Sequence, residues 1–439
     1  MRRREFLSGS VAAGAGAFLR SANPVAGEEA DPALDVALIG AGIHGRTLLN
    51  CLLACGGVRV RAVCDVWPYR RNSAMYYLEA FGQKAVGFQD YREMLDQVDG
   101  LQAVLVATPD FVHAEQTIAS LQAGLHVYCE APMARTFDQA RAMAEAAAQT
   151  GNLLQVGYQR RSSPRYRLVA ENLLEEAELL GDITGAGSEW NQPELWEQGY
   201  PERLALPGED LEKYGYADMR QFRNWRWFSR YSAGPFVAAA VHQVDVLNRL
   251  LGTSPRAVLA AGGADYFPDR ECHDQVTAIF EYPCDGRTIR ATCQVQTTTR
   301  GTAGSHELLV GTEGSIRTSD NPQWFTLFRE PTAADWSQWV RKGYLIQPEQ
   351  AASPEPALAK AGLLHVEETG VVQQYRLPLA VDHSSLHSHV ENFLQAIRGE
   401  SPLNCPPETA LASEAAVLRA VEAIEAKQLL PIPPEARSG

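Results

Sequence analysis

Apolar and polar positions divide this chain into two regimes. From Leu34 onward, short apolar runs alternate with stretches of helical period. Leu34–Ile39 is followed by a glycine loop and a helix through Leu53, then by a run at Val58–Cys64. Further runs lie at Ala103–Ala107, His126–Cys129 and Leu153–Val156, with a helix ending near Gly124. Apolar strands separated by helices of ~10–15 residues predict an α/β domain on a doubly wound parallel sheet. Residues 33–157 are assigned to it. After Gly157 the pattern changes. Long irregular stretches carry Trp190, Trp196, Trp225 and Trp227. Strand-like runs then follow at Val258–Gly263, Gln275–Tyr282, Thr288–Thr297, Glu307–Val310 and Ser315–Thr318. Turns such as Cys284-Asp285-Gly286 predict antiparallel pairing there. Two helices, near Leu386–Ile397 and Thr409–Ala426, have the spacing of a face buried on a sheet. Residues 158–430 therefore read as a C-terminal α+β domain, mainly antiparallel.

The first residues follow a different logic. Arg3-Arg4-Glu5-Phe6-Leu7 is a twin-arginine pattern, and Ser8–Leu19 is small and weakly apolar. That run is too short to span a bilayer, which takes ~20 apolar residues. It suits the core of a signal peptide covering 1–26, ending at Pro24-Val25-Ala26, with a linker over 27–33. The expected location is the periplasm, or otherwise outside the cytoplasm, reached through the twin-arginine export machinery. The net charge of −14 disfavours a nucleic-acid partner. Eight cysteines form no framework, because Cys51 and Cys55 share a helix and Cys64 and Cys129 end apolar strands. A bridge among Cys272, Cys284 and Cys293 stays open.

The loop Gly40-Ala41-Gly42-Ile43-His44-Gly45 follows a strand and opens a helix. The first glycine permits the tight turn, the second lets backbone approach a pyrophosphate, and the third lets helix and strand pack closely. The helix N-terminus then turns unpaired N–H groups toward the phosphates. Asp65, twenty residues after Gly45, ends the next strand. A carboxylate there accepts hydrogen bonds from ribose hydroxyls and repels a 2′-phosphate, which favours NAD. Arg70 and Arg71 lie close behind and keep NADP as the alternative.

Val106-Ala107-Thr108-Pro109-Asp110, Ala123-Gly124 and His126-Val127-Tyr128-Cys129-Glu130-Ala131-Pro132 are specific motifs. With Gln155-Val156-Gly157-Tyr158-Gln159-Arg160-Arg161, Asn224-Trp225-Arg226, Gly234 to His242-Gln243-Val244-Asp245 and Gly311-Thr312-Glu313-Gly314, they occur in the order of one family. Through them the chain resembles the Gfo/Idh/MocA oxidoreductases, which include glucose–fructose oxidoreductases and inositol dehydrogenases. The resemblance implies a Rossmann domain followed by a domain with a large open sheet, through which the family commonly forms homo-oligomers. It implies cofactor contacts at Gly40, Gly42, Ile43, His44, Gly45, Asp65, Thr108, Pro109, Asp110, His113 and Glu130.

Two departures matter. The family usually reads Glu-Lys-Pro where this chain has Glu130-Ala131-Pro132, and that lysine helps hold the substrate hydroxyl. The family also often carries an acid at the position of Ala238, four residues before His242. None of the five lysines (Lys84, Lys213, Lys342, Lys360, Lys427) lies in a motif that restores the amine. Losing a positioned acid or base costs ~10²–10⁴ in rate.

His242 is the expected acid/base group, since an ordinary imidazole exchanges protons near neutral pH. Asp245, one helical turn on, is expected to orient it or to touch substrate. Tyr158, Arg160 and Arg161 follow the last Rossmann strand, where ligands collect, and are expected at the substrate with Trp225 and Arg226. Trp190, Trp225 and Trp227 are either sugar platforms or core. Asp382, His383, His387 and His389 have metal-like spacing, but the family usually holds no metal here, and none is expected.

The leading reading is an exported oxidoreductase acting on a sugar, polyol or glycoside by hydride transfer. Free NAD is scarce outside the cytoplasm, so the cofactor would be held tightly and cycled. Two readings stand beside it: a catalytically impaired sugar or cofactor binder, and an NAD-assisted glycoside hydrolase or lyase.

Overall fold

The structure is a computed structural model that describes residues 33–191, 197–299, 304–348, 372–379 and 382–434. The twin-arginine segment and Trp196 lie outside the described residues.

The alternating apolar runs form six parallel strands: β1 (Leu34–Ile39), β2 (Val58–Cys64), β3 (Val86–Phe88), β4 (Ala103–Val106), β5 (His126–Cys129) and β6 (Leu154–Val156). Their order is β3-β2-β1-β4-β5-β6, the dinucleotide-binding arrangement, which opens a crevice where the order reverses between β1 and β4. Every residue of β1 and β4 is buried, as expected of strands covered on both faces. Helix α1 (Ile43–Cys55) follows β1, and α2 (Pro68–Ala80), α3 (Tyr91–Gln97), α4 (His113–Gln122) and α5 (Phe137–Thr150) make the other crossovers. The strands β1, β2, β4 and β5 lie where the apolar runs predict them. β3 went unpredicted because its three residues are too few to show a period.

The second sheet has nine strands. They are β7 (Ile183–Asn191), β8 (Ala257–Gly263), β9 (Gln275–Cys284), β10 (Arg287–Gln296), β11 (Ser305–Gly311), β12 (Gly314–Thr318), β13 (Thr326–Arg329), β14 (Gln373–Tyr375) and β15 (Leu430–Pro431). The order is β14-β13-β12-β11-β7-β10-β9-β8-β15. Pairing is antiparallel except between β7 and β10, which run parallel. Trp190 belongs to β7 rather than to an irregular stretch. On β9 and β10 alternate residues are buried, including Ala278, Phe280, Tyr282, Ile289, Ala291 and Cys293. Helices α6 (Pro235–Leu251) and α8 (Pro407–Ala426) cover this face, while α7 (Ser385–Ile397) packs on α1. Burying each large apolar side chain stabilises the layer by ~1.5–3 kcal/mol. All eight cysteines are free, so the bridge left open among Cys272, Cys284 and Cys293 is absent.

Candidate functional site

The glycine loop is shaped by contacts that only glycine allows. Gly40 has φ +93°, and a Cβ there would stand 2.6 Å from the carbonyl oxygen of Ala107. A Cβ on Gly45 would stand 1.9 Å from the oxygen of Gly40, which forces α1 close against β1. Gly42 differs, since a Cβ there would meet nothing within 4 Å. It caps α1 without any side-chain hydrogen bond, so the first-turn N–H groups stay available to an anion. Ile43, 64% exposed, begins the helix. The carboxylate of Asp65 accepts from the N–H of Ala41 (2.8 Å) and of Trp67 (2.8 Å), which fixes the loop to the end of β2. Burial raises the Asp65 pKa against those hydrogen bonds and against Arg70 and Arg71. Arg71 donates to the Asp65 carbonyl (3.0 Å). Free space before Gly42, uncapped N–H groups and a carboxylate after β2 together fit a dinucleotide's pyrophosphate and ribose.

A cleft lies beyond this loop, at the carboxyl ends of the parallel strands. His44, Thr108, Asp110, His113 and Glu130 reach it from the Rossmann side. Trp225, Arg226 and His242 reach it from the second domain. The structure therefore brings eight of the expected residues together. It adds Gln159, Trp190, Ala131 and Ala238, the last two where the family's lysine and acid stand.

His242 projects from α6. Trp190 stacks on its ring at 5.8 Å, and Tyr158 packs edge-on at 5.7 Å. Its Nδ1 is buried without a hydrogen-bond partner. Burial, followed by the Arg160 charge, lowers its pKa to about 4. The ring is neutral at neutral pH with a lone pair free, but it is a weaker proton acceptor than the ordinary imidazole the sequence suggests. Glu130 Oε1 lies 2.8 Å from Nε2 of His44 and accepts from Tyr128 Oη (3.1 Å). Burial works against the Glu130 charge, but His44, together with His242 and Tyr128, holds the pKa below the ordinary range. A Cβ on Gly157 would stand 2.6 Å from Glu130 Oε2, so that glycine leaves the carboxylate its place. Asp110 Oδ2 accepts from Ser232 Oγ (3.0 Å) and the Ala233 N–H (3.3 Å), while Oδ1 is buried and unpartnered. Burial raises the Asp110 pKa. Arg226 stacks over Trp225 at 4.2 Å.

Several expectations are corrected. The two nitrogens of His113 lie 2.9 Å from the Pro132 carbonyl and 2.7 Å from the Thr108 carbonyl. It pins the loops after β4 and β5 together and keeps no nitrogen for a cofactor. Thr108 Oγ1 is spent on Gln116 (2.6 Å), and Pro109 lies outside the cleft lining. Asp245 does not orient His242. It is wholly buried and receives Arg161 Nε at 2.9 and 2.8 Å, with Ser413 Oγ at 3.2 Å. That pairing withdraws both Arg161 and Asp245 from the cleft. Arg160 is equally committed, to Glu307, Ser305 and Asp320 (3.0 Å), under the Trp190 ring. Tyr158 gives its hydroxyl to Glu414 (2.6 Å). None of these four lines the cleft; Gln159 does.

Trp227 is core, in a cluster with Trp67, Tyr216 and Tyr231. His389 is occupied by Ser162 Oγ (2.6 Å) and the Val156 carbonyl (2.8 Å), while His383 and His387 stack on each other at 4.4 Å. Among the described residues no group of three such ligands converges. Gln159 stands inside a stretch already singled out and was missed only in phase. Trp190, left open as platform or core, lines the cleft, and Gly157, quoted in the same motif as Gln159, was not expected to make room for Glu130.

Comparison with known proteins gives the family and the fold. Residues 34–158 match the model of an oxidoreductase family, NAD-binding Rossmann fold, and residues 211–433 match its C-terminal alpha/beta domain. The inositol 2-dehydrogenase of Salmonella typhimurium is 27% identical over 173 residues, 39% of this chain and 50% of that protein. The levoglucosan dehydrogenase of Pseudarthrobacter phenanthrenivorans is 30% identical over 250 residues, 53% of this chain and 57% of that one. The chain thus spans about half the length of the curated relatives it matches. A solved levoglucosan dehydrogenase, in complex with NADH and levoglucosan, superposes with TM-score 0.66 at 20% identity, covering 91% of this chain and 99% of that one. That likeness carries the fold. With both family domains matched in order, the chain belongs to the Gfo/Idh/MocA oxidoreductase family, and its first domain is that family's NAD-binding Rossmann fold.

Proposed function

We propose that this protein is an NAD-dependent oxidoreductase acting on a sugar, polyol or glycoside. The observation that carries the reading is His242, a neutral imidazole in a cleft that the glycine loop also borders. A nicotinamide held at this loop would supply hydride exchange with a substrate carbon. The uncapped turn of α1 and the space before Gly42 would hold the pyrophosphate. Asp65 would accept the ribose hydroxyls, which favours NAD over NADP, with Arg70 and Arg71 close by to soften the preference. His242 would take the hydroxyl proton. Trp225, carrying Arg226 on its face, offers an aromatic platform beside a cation, and such platforms suit sugar rings with polar edges.

The twin-arginine pattern at Arg3-Arg4 supports export of the folded protein, and export supports a cofactor that is held tightly and recycled in place. A homo-oligomer is expected from the family and is checked by solution mass.

The test mixes purified protein with a panel of sugars and polyols and follows absorbance of the reduced nicotinamide. Mass spectrometry of the co-purifying nucleotide accompanies it. Turnover that His242→Ala abolishes is the expected result. Ala131 and Ala238 favour a second reading, a binder without turnover. Activity that appears only in Ala131→Lys would establish that reading and overturn the first.

A further inference from the structure

The cleft lacks an amine at 131 and an acid at 238, yet it contains an imidazole that the proposed reaction leaves unused. His44 is the second residue of α1 and lines the same cleft as Ala131 and His242. Its Nε2 lies 2.8 Å from Glu130 Oε1. Glu130 is itself fixed, buried and held by Tyr128 Oη (3.1 Å) and the Ala131 N–H (3.3 Å). His44 is therefore oriented by an anchored carboxylate, unlike a loose surface ion pair. Its other nitrogen, Nδ1, makes no hydrogen bond among the described residues. Helix stability does not explain the residue, because a cation in the first turn opposes the helix dipole at a cost of ~0.3–1 kcal/mol.

We propose that His44, anchored on Glu130, donates a hydrogen bond from Nδ1 to the substrate oxygen at which His242 exchanges its proton, taking the place of the missing amine at 131. The proposal deepens the oxidoreductase reading and rests on it. When an alcohol is oxidised, its O–H proton passes to His242 and its C–H hydride leaves with the electron pair as proposed above. His44 keeps its own proton throughout and holds the oxygen as it becomes a carbonyl.

The charges facing His44 fit this division. Glu130 raises its pKa most, against burial, Arg226 and His113. His242, in the same cleft, is pushed the other way. Two imidazoles whose proton affinities are pushed in opposite directions within one site can divide the roles of hydrogen-bond donor and proton acceptor.

The experiment uses the full chain with NAD and the substrate found in the sugar panel. His44→Gln should lower kcat ~100-fold, a loss larger than any accompanying change in nucleotide affinity read by reduced-nicotinamide fluorescence. The alkaline limb of the pH–rate profile, where His44 loses its proton, should disappear. His44→Gln combined with Ala131→Lys should recover at least about tenfold of the lost rate. Imidazole ¹⁵N shifts should show His44 charged at neutral pH in the wild type and neutral in Glu130→Gln. If His44→Gln keeps the wild-type rate and the alkaline limb, or if the ring is neutral in the wild type, this proposal falls and the oxidoreductase reading stands. If the wild type turns over no substrate, both fall together.

Discussion

Replacing Glu414 by glutamine changes how stability depends on pH, by an amount the structure sets. Glu414 lies on α8 with its side chain wholly buried. It accepts from Tyr158 Oη (2.6 Å) and from the N–H groups of Met133 (3.3 Å) and Ala134 (3.4 Å), and so fastens α8 to the turn that carries Ala131. Burial pushes its pKa from the ordinary 4.5 to about 7, against those hydrogen bonds. Between these values the folded protein keeps a proton that the unfolded chain has lost. The stability contribution is therefore complete below about pH 4.5 and is lost as pH rises through about 7. At ~1.4 kcal/mol per pH unit, the whole interval amounts to roughly 3 kcal/mol, most of which falls between about pH 5 and pH 8. Glutamine does not titrate. Urea unfolding of wild type and Glu414→Gln, followed by tryptophan fluorescence at both pH values, isolates this term. The wild type's stability relative to the variant should fall by roughly 2–3 kcal/mol on going from about pH 5 to about pH 8. A difference constant to within about 0.5 kcal/mol would refute the reasoning, because the carboxyl would then titrate alike in both states.

Other perturbations test the loop and the buried ion pairs. Gly45→Ala puts a Cβ 1.9 Å from the Gly40 oxygen and should cost ~1–3 kcal/mol in thermal unfolding. Gly42→Ala, with open space before it, should leave unfolding unchanged yet weaken nucleotide binding about tenfold or more, since the methyl group enters the place assigned to the pyrophosphate. Equal affinity in Gly42→Ala and wild type would remove the pyrophosphate from that position. Arg160→Ala leaves the fully buried Glu307 carboxylate without its guanidinium and should cost ~3–5 kcal/mol in denaturant unfolding, part of which Glu307→Gln in the same chain restores.

The sequence by itself determined the first domain and the entrance to the site. β1 runs from Leu34 to Ile39, as its apolar run predicts, because a strand buried on both faces reads as a short apolar block bounded by turn glycines. The loop from Gly40 to Gly45 was legible for a similar reason: at Gly40 and Gly45 a Cβ has no room, while the open space before Gly42 is left for a ligand. His242 was found through a family motif, and it does line the cleft.

Tertiary structure decided the rest, since periodicity reports which face of an element is buried and not what it is buried against. Arg160 meets Glu307 across 147 residues, Arg161 meets Asp245 across 84, and Tyr158 meets Glu414 across 256. No local pattern encodes those pairings, so all these expected substrate groups proved to be internal. The 3₁₀ turn Gln159–Ser162 makes the point in miniature. At three residues per turn, one step along the chain redirects a side chain by ~120°. That step sends Arg160 into the protein and leaves Gln159 facing the cleft. β7 shows the same limit at larger scale. Its glycines and mixed burial hide a strand that only its neighbours, parallel β10 and antiparallel β11, define. His44 entered the sequence reading as one residue of a phosphate loop. Folding set it against Glu130, which lies on a different strand end, and that contact raises the ring's pKa in a way the sequence alone could not show.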